Sequence, residues 1–154
     1  MFRLIRKNMK KEFLYKFLSA HKYAVLSTVN TEGIPESALI GFAVAPDLRI
    51  VFDTVSSSRK YKNLIQNHSV SLVIGWDNEQ TIQYEGRVIF QAGKDFNKMV
   101  DFYLRVFPEG LERKNKCKDI AHFVVVPDWI RYSDFNDPVT IEELDFLSNK
   151  LKSI

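Results

Sequence analysis

The sequence predicts a mainly β fold with helices: a small antiparallel barrel carrying an N-terminal helix and two or three further helices, in a single domain over residues 1–154. Three observations lead there. Short runs rich in β-branched and aromatic residues recur, each bounded by turn signals. They do not alternate with helices as βαβ units do, and no G-x-G-x-x-G or G-x-x-x-x-G-K stretch occurs, so the usual dinucleotide and nucleoside-triphosphate sites are not expected. The chain of 154 residues is 45% apolar and holds 12 Phe, enough for one core, since domains of this size bury roughly two-thirds of their unfolded surface.

The elements follow in order. Residues 8–21 read as a helix with Phe13, Leu14, Phe17 and Leu18 on one face. Tyr23 to Val29 reads as a strand, Asn30-Thr31-Glu32-Gly33 as a turn, and Ile34 to Ala43 as the returning arm of a hairpin. Pro46-Asp47 turns the chain into a strand from Leu48 to Phe52. A helix near 58–67 has Tyr61, Leu64 and Ile65 on one face, and strands follow at Val70 to Gly75 and Thr81 to Gln91. Lys94 to Phe107 is a helix, with Phe96, Val100, Tyr103 and Phe107 at helical spacing and Pro108 as its stop. Ile120 to Val126 and Trp129 to Ser133 read as two strands, and Val139 to Lys150 as a terminal helix.

Charge and composition exclude several functions. With 22 basic and 19 acidic residues the net charge is +3, too balanced for a nucleic-acid surface, which needs a basic face or stripe. No nucleic-acid or membrane partner is expected. Arg3, Arg6, Lys7, Lys10 and Lys11 make a basic start, but no apolar run approaches the ~18 residues of a membrane span. Met1 to Lys11 is charged and has no signal-peptide h-region, so the cytoplasm is the expected location. The single cysteine, Cys117, lies in a lysine-rich stretch read as a polar loop and forms no internal disulfide. His21, His68 and His122 are scattered without ligand spacing, so no metal site is expected. No G-x-S-x-G elbow supports a nucleophilic serine.

The stretch that carries chemistry is Phe52-Asp53-Thr54-Val55-Ser56-Ser57-Ser58-Arg59-Lys60. A strand ends in Thr54, a Ser-rich turn follows, and a helix opens with Ser58 as its N-cap. Arg59, Lys60 and Lys62 then crowd the first helical turn. A helix N-terminus is the positive end of its dipole, so cations there are misplaced. The arrangement suits a bound anion: free backbone N–H groups, hydroxyls, a guanidinium and an ammonium converge as they would on a phosphate monoester. The plain alternative is a solvated helix start. The hydroxyls of Thr54 and Ser58 at fixed spacing, within a strand–turn–helix, favour the phosphate.

On these residues the chain resembles the pyridoxamine 5′-phosphate oxidase family, the FMN-binding split β-barrels, in the manner of its short, single-domain members. That family has an aromatic-rich strand ending in Thr, a short turn, then Ser-Arg-Lys. Phe17-Leu18 to Asn30 with Gly33-Ile34-Pro35, Asn67 to Val73, Glu85-Gly86-Arg87-Val88 and Pro127 to Asp134 also resemble successive parts of it, so the likeness runs from Phe13 to Asp134. The resemblance implies an antiparallel split β-barrel that binds FMN as a homodimer, with the cofactor at the interface. It assigns the phosphate to Thr54, Ser58, Arg59 and Lys60, with Asp53 beside them. The strand under the isoalloxazine falls on Ser37, Ala38, Leu39 and Ile40, largely as backbone contacts, and a later polar contact falls on Thr81, or on Gln80 or Gln83. Trp129 and Arg131 share a strand face opposite Tyr132. They are either a core Trp with a surface Arg, or residues that approach the flavin from the partner subunit.

The departures from the family are informative. Full pyridoxamine phosphate oxidases carry a basic residue where this chain has Ala38 and a Gln where it has Thr81, and no counterpart of their Arg- and Trp-rich substrate segment follows Asp134. Oxidation of pyridoxamine phosphate itself is not expected, and no catalytic acid or base stands out. The expected function is that of an FMN-dependent oxidoreductase of unknown substrate. The alternative is a non-catalytic flavin-, F420- or haem-binding protein, since short members of the superfamily bind all three.

Overall fold

The computed structural model describes residues 11–90 and 92–151. Eight strands make one antiparallel sheet: β1 (Tyr23–Val29), β2 (Pro35–Gly41), β3 (Ala43–Val44), β4 (Ile50–Val55), β5 (Ser69–Ile74), β6 (Gln80–Ile89), β7 (Ile120–Asp134) and β8 (Thr140–Asp145). Five helices accompany them: α1 (Lys11–Ser19), α2 (Arg59–Gln66), α3 (Lys94–Val106), α4 (Glu109–Lys116) and α5 (Phe146–Leu151). The strand order is β2-β1-β5-β6-β7-β4-β3, with β8 added on β7. The outermost strands of that order, β2 and β3, are separated in the chain by Phe42 alone, so the sheet has to roll until its two edges meet. The result is a barrel-like sheet split between β2 and β3.

Inside it, Leu26, Phe42, Ile50, Phe52, Leu72, Ile82, Tyr84 and Phe123 form one core, joined by Leu14 and Leu18 of α1 and Leu64 of α2. Each fully buried Leu of this kind contributes roughly 1.5–3 kcal/mol. Tyr84 donates its hydroxyl to the Leu48 carbonyl at 2.8 Å, which pins the turn where Leu48 adopts φ 71°. A second, smaller cluster lies on the outer face of β4 and β7, where Val51 and Val124 meet Met99, Tyr103 and Phe107.

The strand and turn readings from Tyr23 to Ile89 hold to within a few residues, as do the helices over 59–66 and 94–106. Residues 8–10 of the expected first helix and Gln91 lie outside the described residues. Four expectations are corrected. The face of α2 that points inward uses Asn63 beside Leu64, while Ile65 is exposed. The polar stretch before Cys117 is the helix α4, with Cys117 as its C-cap, so four helices follow α1 rather than two or three. The residues from Val139 to Lys150 are not one helix: Thr140–Asp145 pairs with β7 as β8, and a short α5 begins only at Phe146. Ile120 to Ser133 is not two strands but one of 15 residues.

That long strand turns on a bulge. Glu85 pairs with Trp129 and Gly86 with Pro127, leaving Asp128 as an extra residue. Phe123 and Val125 face the core before the bulge, and Ile130 and Tyr132 after it, so the inward parity changes from odd to even. Pro127 is tolerated because β4 stops pairing at Val125 and β8 starts at Trp129, so no neighbour there needs its missing N–H. Among the described residues, no helix is long and apolar enough to cross a membrane.

Candidate cofactor site

The strand–turn–helix folds as its local signals require. Ser58 is the N-cap of α2, extended at φ −69° and ψ 153°, and its Oγ accepts the Tyr61 amide at 3.2 Å. Thr54 Oγ1 lies 2.9 Å from Ser58 Oγ, so the strand end and the cap share one hydroxyl pair. The amides opening the helix have no intrahelical acceptor, as in any first turn. A cleft of about 260 Å³ lies in front of them, lined by Leu26, Thr28, Glu36, Ser37, Ala38, Arg59 and Lys60.

Glu36 is the residue the sequence did not mark. It answers the question of misplaced charge at the start of α2 from within the chain. Its carboxylate is ion-paired with Arg59 and accepts the Asn63 side-chain amide at 2.9 Å and that of Asn30 at 3.3 Å. Asn63 gives its other amide hydrogen to Thr28 Oγ1 at 2.9 Å. The Asn63 bond, then those from Arg59 and Asn30, hold the Glu36 carboxyl below its ordinary value against the opposing effect of burial. The Arg59 side chain is 80% exposed. Lys60 has no ion-pair partner among the described residues.

The sequence-marked residues fall into three places. Arg59, Lys60, Ser37 and Ala38 line the cleft, and the hydroxyl pair of Thr54 and Ser58 adjoins it at the N-cap of α2. Ile40 is buried in the barrel core beside them. Leu39, 63% exposed, lies on the outer sheet face in one cross-strand row with Val25, Val73, Gln83 and Arg131. Thr81 shares that outer face, paired with Ser133, whereas Gln80 is tied to Asp134 at 2.9 Å. Trp129 and Arg131 do share a face, with the guanidinium 5.1 Å from the indole ring centre, and Tyr132 is in the core. Arg131 also donates to Glu143 at 2.8 Å. Strands β1, β5 and β6 stand between these two residues and β2.

Asp53 forms the third place. Strand alternation turns it away from Thr54, toward α3 and α4. There it is 3.6 Å from Arg113 and opposite His122 on β7. Strand parity alone would have separated it from the hydroxyl pair.

Chemically the cleft can hold an oxyanion. A lysine and an exposed arginine line it, and the hydroxyl pair of Thr54 and Ser58 and the first amides of α2 adjoin it. Glu36 sits in it as a competitor for Arg59.

Comparison with known proteins agrees with this architecture. A haem-binding protein from Mycobacterium smegmatis superposes with a TM-score of 0.73 at 13% identity, over 90% of this chain and 59% of its own, so this chain spans about three-fifths of that protein's length. A pyridoxamine 5′-phosphate oxidase-related, FMN-binding protein from Nostoc punctiforme superposes at 0.62 with 12% identity, over 85% and 84% of the two chains. HutZ, the haem storage protein of Vibrio cholerae, gives 0.64 at 17%, over 77% and 91%. At such identities the likeness is one of fold, the split barrel. No curated protein sequence matches the chain. The family model described as pyridoxamine 5′-phosphate oxidase matches residues 11–134, most of the chain, and the chain therefore belongs to the pyridoxamine 5′-phosphate oxidase family.

Proposed function

We propose that the cleft between β2 and α2 binds FMN non-covalently, one per chain, and that the protein is a flavin-dependent oxidoreductase. The observation that carries this reading is the hydroxyl pair of Thr54 and Ser58 at the start of a helix bearing Arg59 and Lys60. A phosphate monoester matches those donors. Its arrival draws Arg59 from Glu36, and the exposure of that guanidinium makes the exchange easy. Bound flavin supplies the electron transfer. The chain's part is to hold the phosphate at α2 and to orient the ring along β2, where Ser37 and Ala38 line the cleft and Leu39 faces outward.

The haem-binding neighbours support haem as the second reading. Against it, no residue lining this cleft is a His, Cys, Met or Tyr, the side chains that commonly hold haem iron. The visible absorption spectrum of the purified protein separates the two: flavin bands support this reading, and a Soret band overturns it. Titration with FMN and riboflavin then tests the phosphate assignment. Arg59→Ala/Lys60→Ala should lose the preference for FMN, since charge-assisted contacts contribute roughly 1.5–3 kcal/mol each. Equal affinities for FMN and riboflavin in the wild type would exclude a phosphate held at this turn.

We further infer a homodimer. Along the sheet, β1, β5 and β6 separate Trp129 and Arg131 from β2 within one chain, and a second copy offers a route by which they reach a ring held there.

A further inference from the structure

We propose that a second cleft, where α2, α3, α4 and the first residues of β7 meet, binds a small aromatic carboxylate. The cleft, of about 260 Å³, has room for one ring with a substituent; the β2–α2 cleft of the same volume would enclose only the phosphate end of FMN, the ring lying along β2. Its walls are aromatic. Phe123 stands 5.9 Å from Tyr61 and 5.7 Å from Phe90, edge-on to both, and Phe96 of α3 joins them. Ile65 and Phe90 line it at 41% and 36% exposure. A bound ring would cover apolar surface that now faces water.

The polar lining sets the charge of the occupant. Lys114 lines the cleft and has no ion-pair partner among the described residues. Its α4 neighbours do: Arg113 is paired with Asp53 and Lys116 with Glu112. No carboxylate lines the cleft, and the Asn97 amide adds a donor. His122 completes the lining. It is buried, its ring is 5.6 Å from that of Tyr103, and its Nε2 has no hydrogen-bond partner among the described residues. The charged and titratable groups around it are Asp53 on β4, Tyr103 on α3, and Arg113 and Lys114 on α4. An anion that settles between Lys114 and Asn97, with its ring among the phenylalanines, satisfies both halves of the lining. The cleft shares no residue with the one between β2 and α2, so the two readings stand or fall separately.

The probe is benzoate, titrated into the purified protein and followed by calorimetry and by the His122 imidazole resonances. Saturable binding that moves those resonances is expected, with acetate and benzyl alcohol each weaker by about tenfold or more, the worth of one charged contact or one ring. Lys114→Ala, a change at an exposed residue that should fold normally, is expected to weaken benzoate by a similar factor. Arg59→Ala/Lys60→Ala is expected to leave it unchanged. Absence of saturation at millimolar benzoate, or wild-type affinity in Lys114→Ala, would overturn the assignment. Loss of benzoate binding in the Arg59→Ala/Lys60→Ala variant would overturn it too, by placing the ligand at the α2 turn.

Discussion

Glu36 on β2 is ion-paired with Arg59 at the first turn of α2, although 23 residues separate them in sequence. The Arg59 charge is therefore already matched within the chain, while that of Lys60 has no partner among the described residues, and any phosphate contends with a carboxylate already in place. Glu36→Gln keeps an acceptor for Asn63 and removes the charge. FMN should bind more tightly to this variant at pH 7, by up to about tenfold, the scale of one charged contact, while riboflavin affinity stays the same. Fluorescence titration of both ligands reads the difference. A parallel change in the two affinities would show that Glu36 does not act on the phosphate.

The inferred homodimer makes a complementation prediction. Chains carrying Arg59→Ala/Lys60→Ala, mixed with chains carrying Trp129→Ala, should form a heterodimer with one full-affinity flavin site, although each variant alone has none. Recovered binding on mixing checks this. If both residues served the same chain's site, no mixture would recover it.

His122 gives the fold a pH dependence. Burial lowers its imidazole value, Asp53 pulls it back up, and Lys114 lowers it again, for a net value below 6.5. The unfolded chain, titrating near 6.5, then takes up its proton first as the solution is acidified. The stabilisation is full above that point and is lost as pH falls through the lower folded value. Urea midpoints measured between about pH 7.5 and 5.5 should drop, and His122→Leu should flatten the slope. Identical slopes in the two proteins would remove His122 from the account.

Gly86 sits at the bulge with no room for a side chain. A Cβ there would lie 2.4 Å from the Val126 carbonyl oxygen, a backbone atom that cannot step aside. Gly86→Ala should destabilise by about 1–3 kcal/mol and lower Tm by roughly 2–12 °C. Gly93→Ala, which meets nothing within 4 Å and alters only the N-cap of α3, is the comparison and should lower Tm by less.

What the sequence made legible was local. Ser58 could be assigned as a cap, and Thr54 as its neighbour, because strand, turn and helix signals adjoin. Glu36 could not be assigned, because only the roll of the sheet brings β2 to α2. Helix α4 escaped notice because its one large apolar residue, Leu111, is itself exposed, leaving no stripe to read. The C-terminal misreading has a similar cause. Ile141, Leu144 and Leu147 are three residues apart and mimic a helix, yet Ile141 pairs with Ser133 and Leu144 with Ile130. The true boundary is marked by Asp145, whose Oδ1 accepts the amides of Leu147 at 2.9 Å and Ser148 at 3.1 Å.

Asp128 is a residue in excess, and the ladder closes without it. In a chain lacking Asp128, Pro127 and Trp129 would follow one another as Gly86 and Glu85 do, and Ile130 and Tyr132 would still face the core. What would go is the ion pair between Arg87 and Asp128, at 2.9 Å, and the extra local twist that a bulge gives a strand. The added residue acts as a spacer in a row of tiles: it shifts the count on one side of it, and leaves the face that each tile shows unchanged.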